Sequence, residues 1–196
     1  NIAPNETVTA IMDSLGGFDA REINFASMAA FPGHEGTKFV EIRGIEGDFP
    51  FYGNMETEPK SAAKTYQKEG MALVDATVML QLGLKVGDSI KIGAITLPIG
   101  GSLKYLAGSS SLFSAIAPPV VIPYQWIDAT ELVQPGSRLD YEFYFVANPE
   151  TNLDQLDEAI DERLDREEYD LDIHTTTSER LGRRYENFGR FLNLVA

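Results

Sequence analysis

The chain has 196 residues, 43% of them hydrophobic and 10% aromatic, which is enough to bury a core as one domain or as two closely packed subdomains. A formal net charge of −14 argues against a phosphate-neutralising surface of clustered Lys and Arg, and with it against nucleic-acid recognition; it also repels an anionic membrane surface. The lack of cysteine removes thiol nucleophiles, disulfides and thiolate metal sites, and leaves the redox compartment open.

Asn5 is placed to cap a first helix whose apolar positions Val8, Ile11, Met12 and Leu15 follow helical spacing, with Gly16-Gly17 as its left-handed stop. Residues 22–31 alternate as a strand before Pro32-Gly33, and Lys38 to Ile45 form a second strand, so the two are expected as an antiparallel hairpin. From Glu46 to Gly70 the prolines, Gly53 and several charges predict a long irregular surface connection. A strand over 71–74, a helix over 76–82 and two strands over 88–92 and 94–99 turned at Gly93 follow.

Gly100 to Pro119 mixes Gly, Ser and Ala with Leu103, Tyr105, Leu106, Leu112, Phe113 and Ile116, which predicts a mobile loop with apolar tips. Strands are expected over 120–122 and 141–146. Asn152 then caps a helix with an apolar stripe of Leu153, Leu156, Ile160 and Leu164 and an acidic opposite side. Residues 169–175 alternate as a strand, and Thr176 with Glu179 forms a capping box for a last helix. Its apolar positions Leu181, Tyr185, Phe188, Leu192 and Val195 run unbroken to the final residue, and the first residue is Asn1 instead of Met, so the sequence is expected to be a piece of a longer chain. No run reaches the roughly 20 apolar residues of a membrane span, and no signal peptide opens the chain.

Strand, helix, strand occurs at both ends of the chain around a middle with its own small strands. The expected organisation is an outer subdomain of residues 1–56 and 139–196 and an inserted one of residues 57–138.

Sequence chemistry points away from catalysis. His34 sits in a Gly-rich turn and His174 on a strand beside threonines, and two histidines without cysteine do not make an ordinary zinc site. There is no Gly-x-Ser-x-Gly elbow, no Gly-x-x-x-x-Gly-Lys phosphate loop and no Gly-x-Gly-x-x-Gly fingerprint. The carboxylates between Asp154 and Asp172 fall on a helix, not in a calcium loop. No catalytic residue, metal ligand or cofactor site is expected, and any ATP is handled by another chain. Arg180, Arg183, Arg184 and Arg190 on the last helix fit two roles, snorkelling toward lipid headgroups or pairing with Glu179 and Glu186.

The stretch Leu73-Val74-Asp75-Ala76 through Leu82-Gly83-Leu84-Lys85-Val86-Gly87-Asp88-Ser89-Ile90-Lys91-Ile92-Gly93 resembles that of the MacB-like periplasmic core domain: a strand, a short helix, Leu-Gly-x-x-Val-Gly-Asp, then a strand. Gly83 and Gly87 let the helix stop and the chain turn, and Asp88 can bond the turn's backbone. Upstream, Val40 to Gly53 is similar to the family's exit from a strand into an inserted subdomain, with Glu46 for the usual Asp and Phe49-Pro50 for Tyr-Pro. Downstream, 152–163 and 183–196 resemble the last helix, strand and stalk of such domains.

The resemblance is to ABC transporter permeases of the FtsX, LolC and YbbP kind. It implies an α+β fold with a split βαβ porter-like subdomain and an inserted, small, mostly-β sabre-like subdomain. It places the domain outside the bacterial inner membrane. Its implied partners are a cytoplasmic ABC ATPase, a second permease copy and a substrate or periplasmic protein. Coupling of ATP hydrolysis to export, lipoprotein release or cell-wall enzyme regulation is the expected function; the alternatives are a free-standing ligand-binding or adhesion module and a hydrolase whose carboxylates meet only in the fold. The apolar residues Leu103, Tyr105, Leu112 and Phe113 are expected to touch a partner or substrate, and Tyr185, Phe188 and Leu192 to continue as a stalk into a membrane helix.

Overall fold

The structure is a computed structural model that describes residues 6–14, 16–50, 54–107, 111–134, 137, 139–145, 152, 155 and 160, with the side chains of 111–113 excepted. The chain divides into two compact units, Asn1–Ala3 with Gly17–Phe145, and Pro4–Gly16 with Val146–Ala196. The smaller unit contains helix α1, Glu6–Ser14, whose Val8 and Ile11 are buried as their spacing predicts. In the same unit the Gln155 N–H donates to Asn152 Oδ1 at 3.3 Å, the expected helix cap, and Ile160 of the predicted stripe is buried.

The larger unit is a closed sheet. Strands β1 (Ala20–Ala30) and β2 (Thr37–Gly47) pair antiparallel along their full length, as the sequence predicts. The ladder then passes from β2 to β7 (Pro119–Pro123), β4 (Ala72–Asp75), β6 (Ile95–Leu106) and β5 (Ser89–Ile92), and returns from β5 to β1 at Ala29 and Ala30. Six strands thus form a barrel with two parallel contacts, β2–β7 and β4–β6. Closure leaves one face of every strand inward. The strands supply their apolar side chains to that interior: Ile23, Phe25 and Ala29; Val40 and Ile42; Val120 and Ile122; Ala72 and Val74; Leu97 and Ile99; Ile90 and Ile92.

The 3-10 turns Tyr124–Trp126 and Asp128–Thr130 add Ile127 to this core. Gly44 on β2 faces Ile127 and Ile23 so closely that a methyl group there would collide with both. A second, smaller core lies on the outer side, where Tyr66 and Ala62 of helix α2 (Ala62–Glu69) cover Ile45, Leu73, Leu103 and Val121.

Two segments differ from the sequence expectation. The connection over 46–70 is not irregular throughout: it contains β3 (Met55–Glu58), paired with β6, and α2. Good helix formers from Ala62 to Glu69 precede Gly70, which takes the left-handed conformation (φ 67) that ends a helix. The expected loop over 100–119 is largely regular, because β6 runs on to Leu106 and helix α4 spans Ser111–Ile116. Gly100 and Gly101 mark where β6 changes partners, from β5 before them to β4 and β3 after them. The remaining strands, β8 (Asp140–Tyr144) included, and α3 (Ala76–Leu82) stand within two residues of their predicted bounds. The expectations over 169–175 and for the last helix lie outside the described residues. Among the described residues no helix is long and apolar enough to cross a membrane.

Candidate functional site

The motif after α3 behaves as its residues dictate. Asp75 caps α3, accepting from the N–H groups of Thr77 (2.7 Å) and Val78 (3.3 Å). Gly83 ends the helix in the left-handed region (φ 65) and Gly87 turns the chain with φ 98. The carboxylate of Asp88 accepts from the Lys85 N–H at 2.7 Å and lies 3.2 Å from His34 Nε2, while His34 Nδ1 lies 3.0 Å from the Leu82 carbonyl oxygen. His34, in the turn between β1 and β2, therefore ties the hairpin tip to this motif; His174 is outside the described residues.

The candidate contact residues separate. Leu103 points into the outer core at 1% exposure, whereas Tyr105, two residues on along the same strand, is 51% exposed. Ile116 at the end of α4 is 71% exposed. The side chains of Leu112 and Phe113, and all of Tyr185, Phe188 and Leu192, lie outside the described residues. Among the large apolar residues of 103–116 with described side chains, Tyr105 and Ile116 are the exposed ones.

A charged cluster that the sequence does not announce occupies the outer face of β1, β2 and β8. The register pairs Asn24 with Arg43 and Ala26 with Glu41 across β1–β2, and Glu22 with Glu142 across β1–β8. Arg43 and Glu22, offset by one pleat, form a two-pronged ion pair with both side chains buried. The Arg43 Nη2 to Glu22 Oε2 distance is 2.8 Å, and Nε of the same guanidinium donates to Glu22 Oε1. The Tyr144 hydroxyl donates to Glu142 Oε2 at 2.6 Å and lies 3.2 Å from Glu22 Oε2. Phe49 stacks at 5.3 Å on Tyr144 and lies 5.7 Å from the Arg43 guanidinium.

Burial pushes the Glu22 carboxyl up from its ordinary value, against the opposing pull of Arg43. Burial works against the Arg43 charge, but the hydrogen bond and charge of Glu22 outweigh it and hold the guanidinium charged. The Tyr144 hydroxyl is pushed up by burial and by the carboxylates of Glu22 and Glu142, so it stays a donor. A second cation is committed at the end of β1: Arg21 pairs with Glu46 at 2.6 Å and lies 3.9 Å from the centroid of Tyr124.

Such a cluster holds charge and orientation. The Tyr144 hydroxyl beside Glu142 is held protonated by burial and by both carboxylates, and no group of three or more candidate metal ligands converges among the described residues. What it can do is fix the hairpin against β8 and present acids at a surface.

Residues 4–163 match the model of the MacB-like periplasmic core domain. This chain belongs to that family. The ABC transporter permease YbbP of Escherichia coli (strain K12) is 29% identical over 178 residues, 90% of this chain and 21% of that protein. The chain therefore spans about a fifth of the curated relative it matches. Among solved structures, a domain of a permease protein from Porphyromonas gingivalis has a TM-score of 0.51 at 18% identity, covering 81% of this chain and 74% of that one, and shares the α+β fold. The periplasmic region of MacB from Actinobacillus actinomycetemcomitans gives 0.48 at 12% identity, covering 89% of this chain and 82% of that one.

Proposed function

We propose that this domain is the extracytoplasmic part of an ABC transporter permease that couples ATP hydrolysis on a cytoplasmic ATPase to movement and partner handling outside the membrane. The match of residues 4–163 to the periplasmic core family carries this reading. A second permease copy and the ATPase are the partners it requires, through membrane segments that the full protein would supply.

Within the domain, the proposed division is a porter-like subdomain of residues 1–56 and 139–196 and a sabre-like subdomain of residues 57–138. In its support, β8, which follows the inserted segment, pairs with β1 over residues 20–24, while β5 and β7 of that segment also join β1 and β2 in the barrel. The last helix, with Tyr185, Phe188 and Leu192, is the proposed stalk. Tyr105, with Leu112 and Phe113 of α4, forms the proposed contact edge; the exposure of Tyr105 and Ile116 supports it. Leu103 belongs to that edge only as the core residue beneath it.

Two measurements test this. The coding sequence on either side is expected to encode apolar runs of about 20 residues; polar flanks would leave a free-standing binding module as the better account. In the intact permease, Leu112→Ser with Phe113→Ser is expected to impair transport while the ATPase still co-purifies. Unchanged transport by a folded double variant removes the contact edge.

A further inference from the structure

We propose that β8 is a releasable strap: it lifts from β1 while the barrel stays closed, and in lifting it opens the Glu22–Arg43 pair to water. β8 pairs with β1 over residues 20–24 and, among the described residues, with no other strand. The chain that follows it enters the smaller unit at Val146.

Three observations carry the assignment. The first is what β8 buries. Each of the other seven strands has at least one fully buried side chain, whereas none of Asp140–Tyr144 is fully buried. Tyr141 packs against the barrel core and is only partly buried there. The ring contacts at the other end, Phe143 with Phe18 at 5.8 Å and Tyr144 with Phe49 at 5.3 Å, are made to residues that flank β1 and β2. Apolar burial resists opening in proportion to its area, so such a strand opens at lower cost than β5, which Ile90 and Ile92 anchor at 0% exposure.

The second observation is what lies beneath β8. The Tyr144 hydroxyl stands 3.2 Å from Glu22 Oε2, over the buried pair of Glu22 and Arg43. Burial pushes the Glu22 carboxyl up in spite of Arg43, so the pair does not recover the whole desolvation of the acid. Lifting β8 leaves the pair formed and returns water to its charges. The same event at β5 would expose carbon.

The third is the ladder itself. The register sets Glu142 directly opposite Glu22, and like charges so placed weaken a strand pair. One hydroxyl hydrogen serves both acids. Tyr144 gives it to Glu142 Oε2 at 2.6 Å, within β8, and the 3.2 Å contact to Glu22 is the one that reaches the barrel. The mechanical role of the strap rests on the permease reading: the proposed stalk lies C-terminal to β8, so a pull from that end loads the β1–β8 ladder first.

The test is hydrogen exchange, read by mass spectrometry on the intact protein and corrected for the unfolded rate of each segment. Amides of Asp140–Tyr144 are expected to exchange at least about tenfold faster than those of β5, a difference of about 1.4 kcal/mol. Tyr144→Phe is expected to speed β8 by at least about threefold more and to leave β5 unchanged. Exchange of β8 as slow as that of β5 would overturn the proposal without any variant. Equal acceleration of both strands in Tyr144→Phe would assign the hydroxyl to the whole fold and overturn it too. For the mechanical role, the permease is isolated with its ATPase, and exchange without nucleotide is compared with that in ATP and vanadate. A change of at least about threefold confined to β8 is expected, and none would overturn the role. If no ATPase co-purifies, the permease reading fails and the role with it, while the comparison of β8 with β5 still decides the strap.

Discussion

The inner face of the β1–β2 hairpin and the stretch of its outer face at Glu22 and Arg43 are both buried, and they are built from opposite chemistry. Inside, Ile23, Phe25, Val40 and Ile42 belong to one apolar core with residues of the other barrel strands and Ile127. Outside, Glu22 and Arg43 are at 0% and 5% exposure and hold each other. Apolar burial is non-directional and roughly proportional to area, so an interior residue can be exchanged for another of similar volume. A buried ion pair depends on geometry and on the presence of both partners. The hairpin is therefore tolerant on one side and exacting on the other.

The largest expected effect comes from splitting the ion pair. Arg43→Met leaves Glu22 buried without its partner, and should cost about 3–5 kcal/mol of unfolding free energy, read from urea denaturation. Adding Glu22→Leu should recover most of that loss. If Arg43→Met unfolds at the parent's urea midpoint, the two faces do not differ as described.

Ile42→Ala removes buried carbon from the barrel interior and is expected to cost about 2–5 kcal/mol. Ile42→Val should cost roughly 0.5–1.5 kcal/mol, and this graded response is what an apolar face predicts. Smaller again, Asp75→Ala removes the cap of α3 and should lower stability by about 1 kcal/mol, with the thermal midpoint as readout.

The last prediction concerns pH. Glu41 has a folded-state pKa raised above its ordinary 4.5 by burial. Below 4.5 both folded and unfolded chains carry the proton, and the group costs nothing. As pH rises from 4.5 through the folded value, the unfolded chain loses its proton first and stability falls. Glu41→Gln should thus be more stable than the parent at neutral pH, with the advantage vanishing below pH 4.5. A pH-independent difference would show that the carboxylate is not desolvated.

Much of this was legible in the sequence. The hairpin, α3 and the Leu-Gly-x-x-Val-Gly-Asp turn follow from alternation, capping and glycine, which are local properties. Residues 62–69 were hidden by the prolines and charges around them, although their helix-forming composition and Gly70 carry the signal. The course of β6 through Gly100-Gly101 was hidden because two glycines in a polar, small-residue stretch read as a loop. They serve instead where the strand exchanges neighbours, and Leu103 is core for that reason.

The charged face had no such signal. Glu22 and Asn24, like Glu41 and Arg43, alternate with apolar residues as any water-facing set would. The sequence alone determined which residues turn inward on each strand, because the strand period of two is a property of the backbone. Only the tertiary structure decided that six strands close on themselves, that β8 and Phe49 cover part of the outer face, and that Glu22 and Arg43 meet beneath them. Those contacts join residues distant in the chain, and no local preference specifies which strand lies beside which.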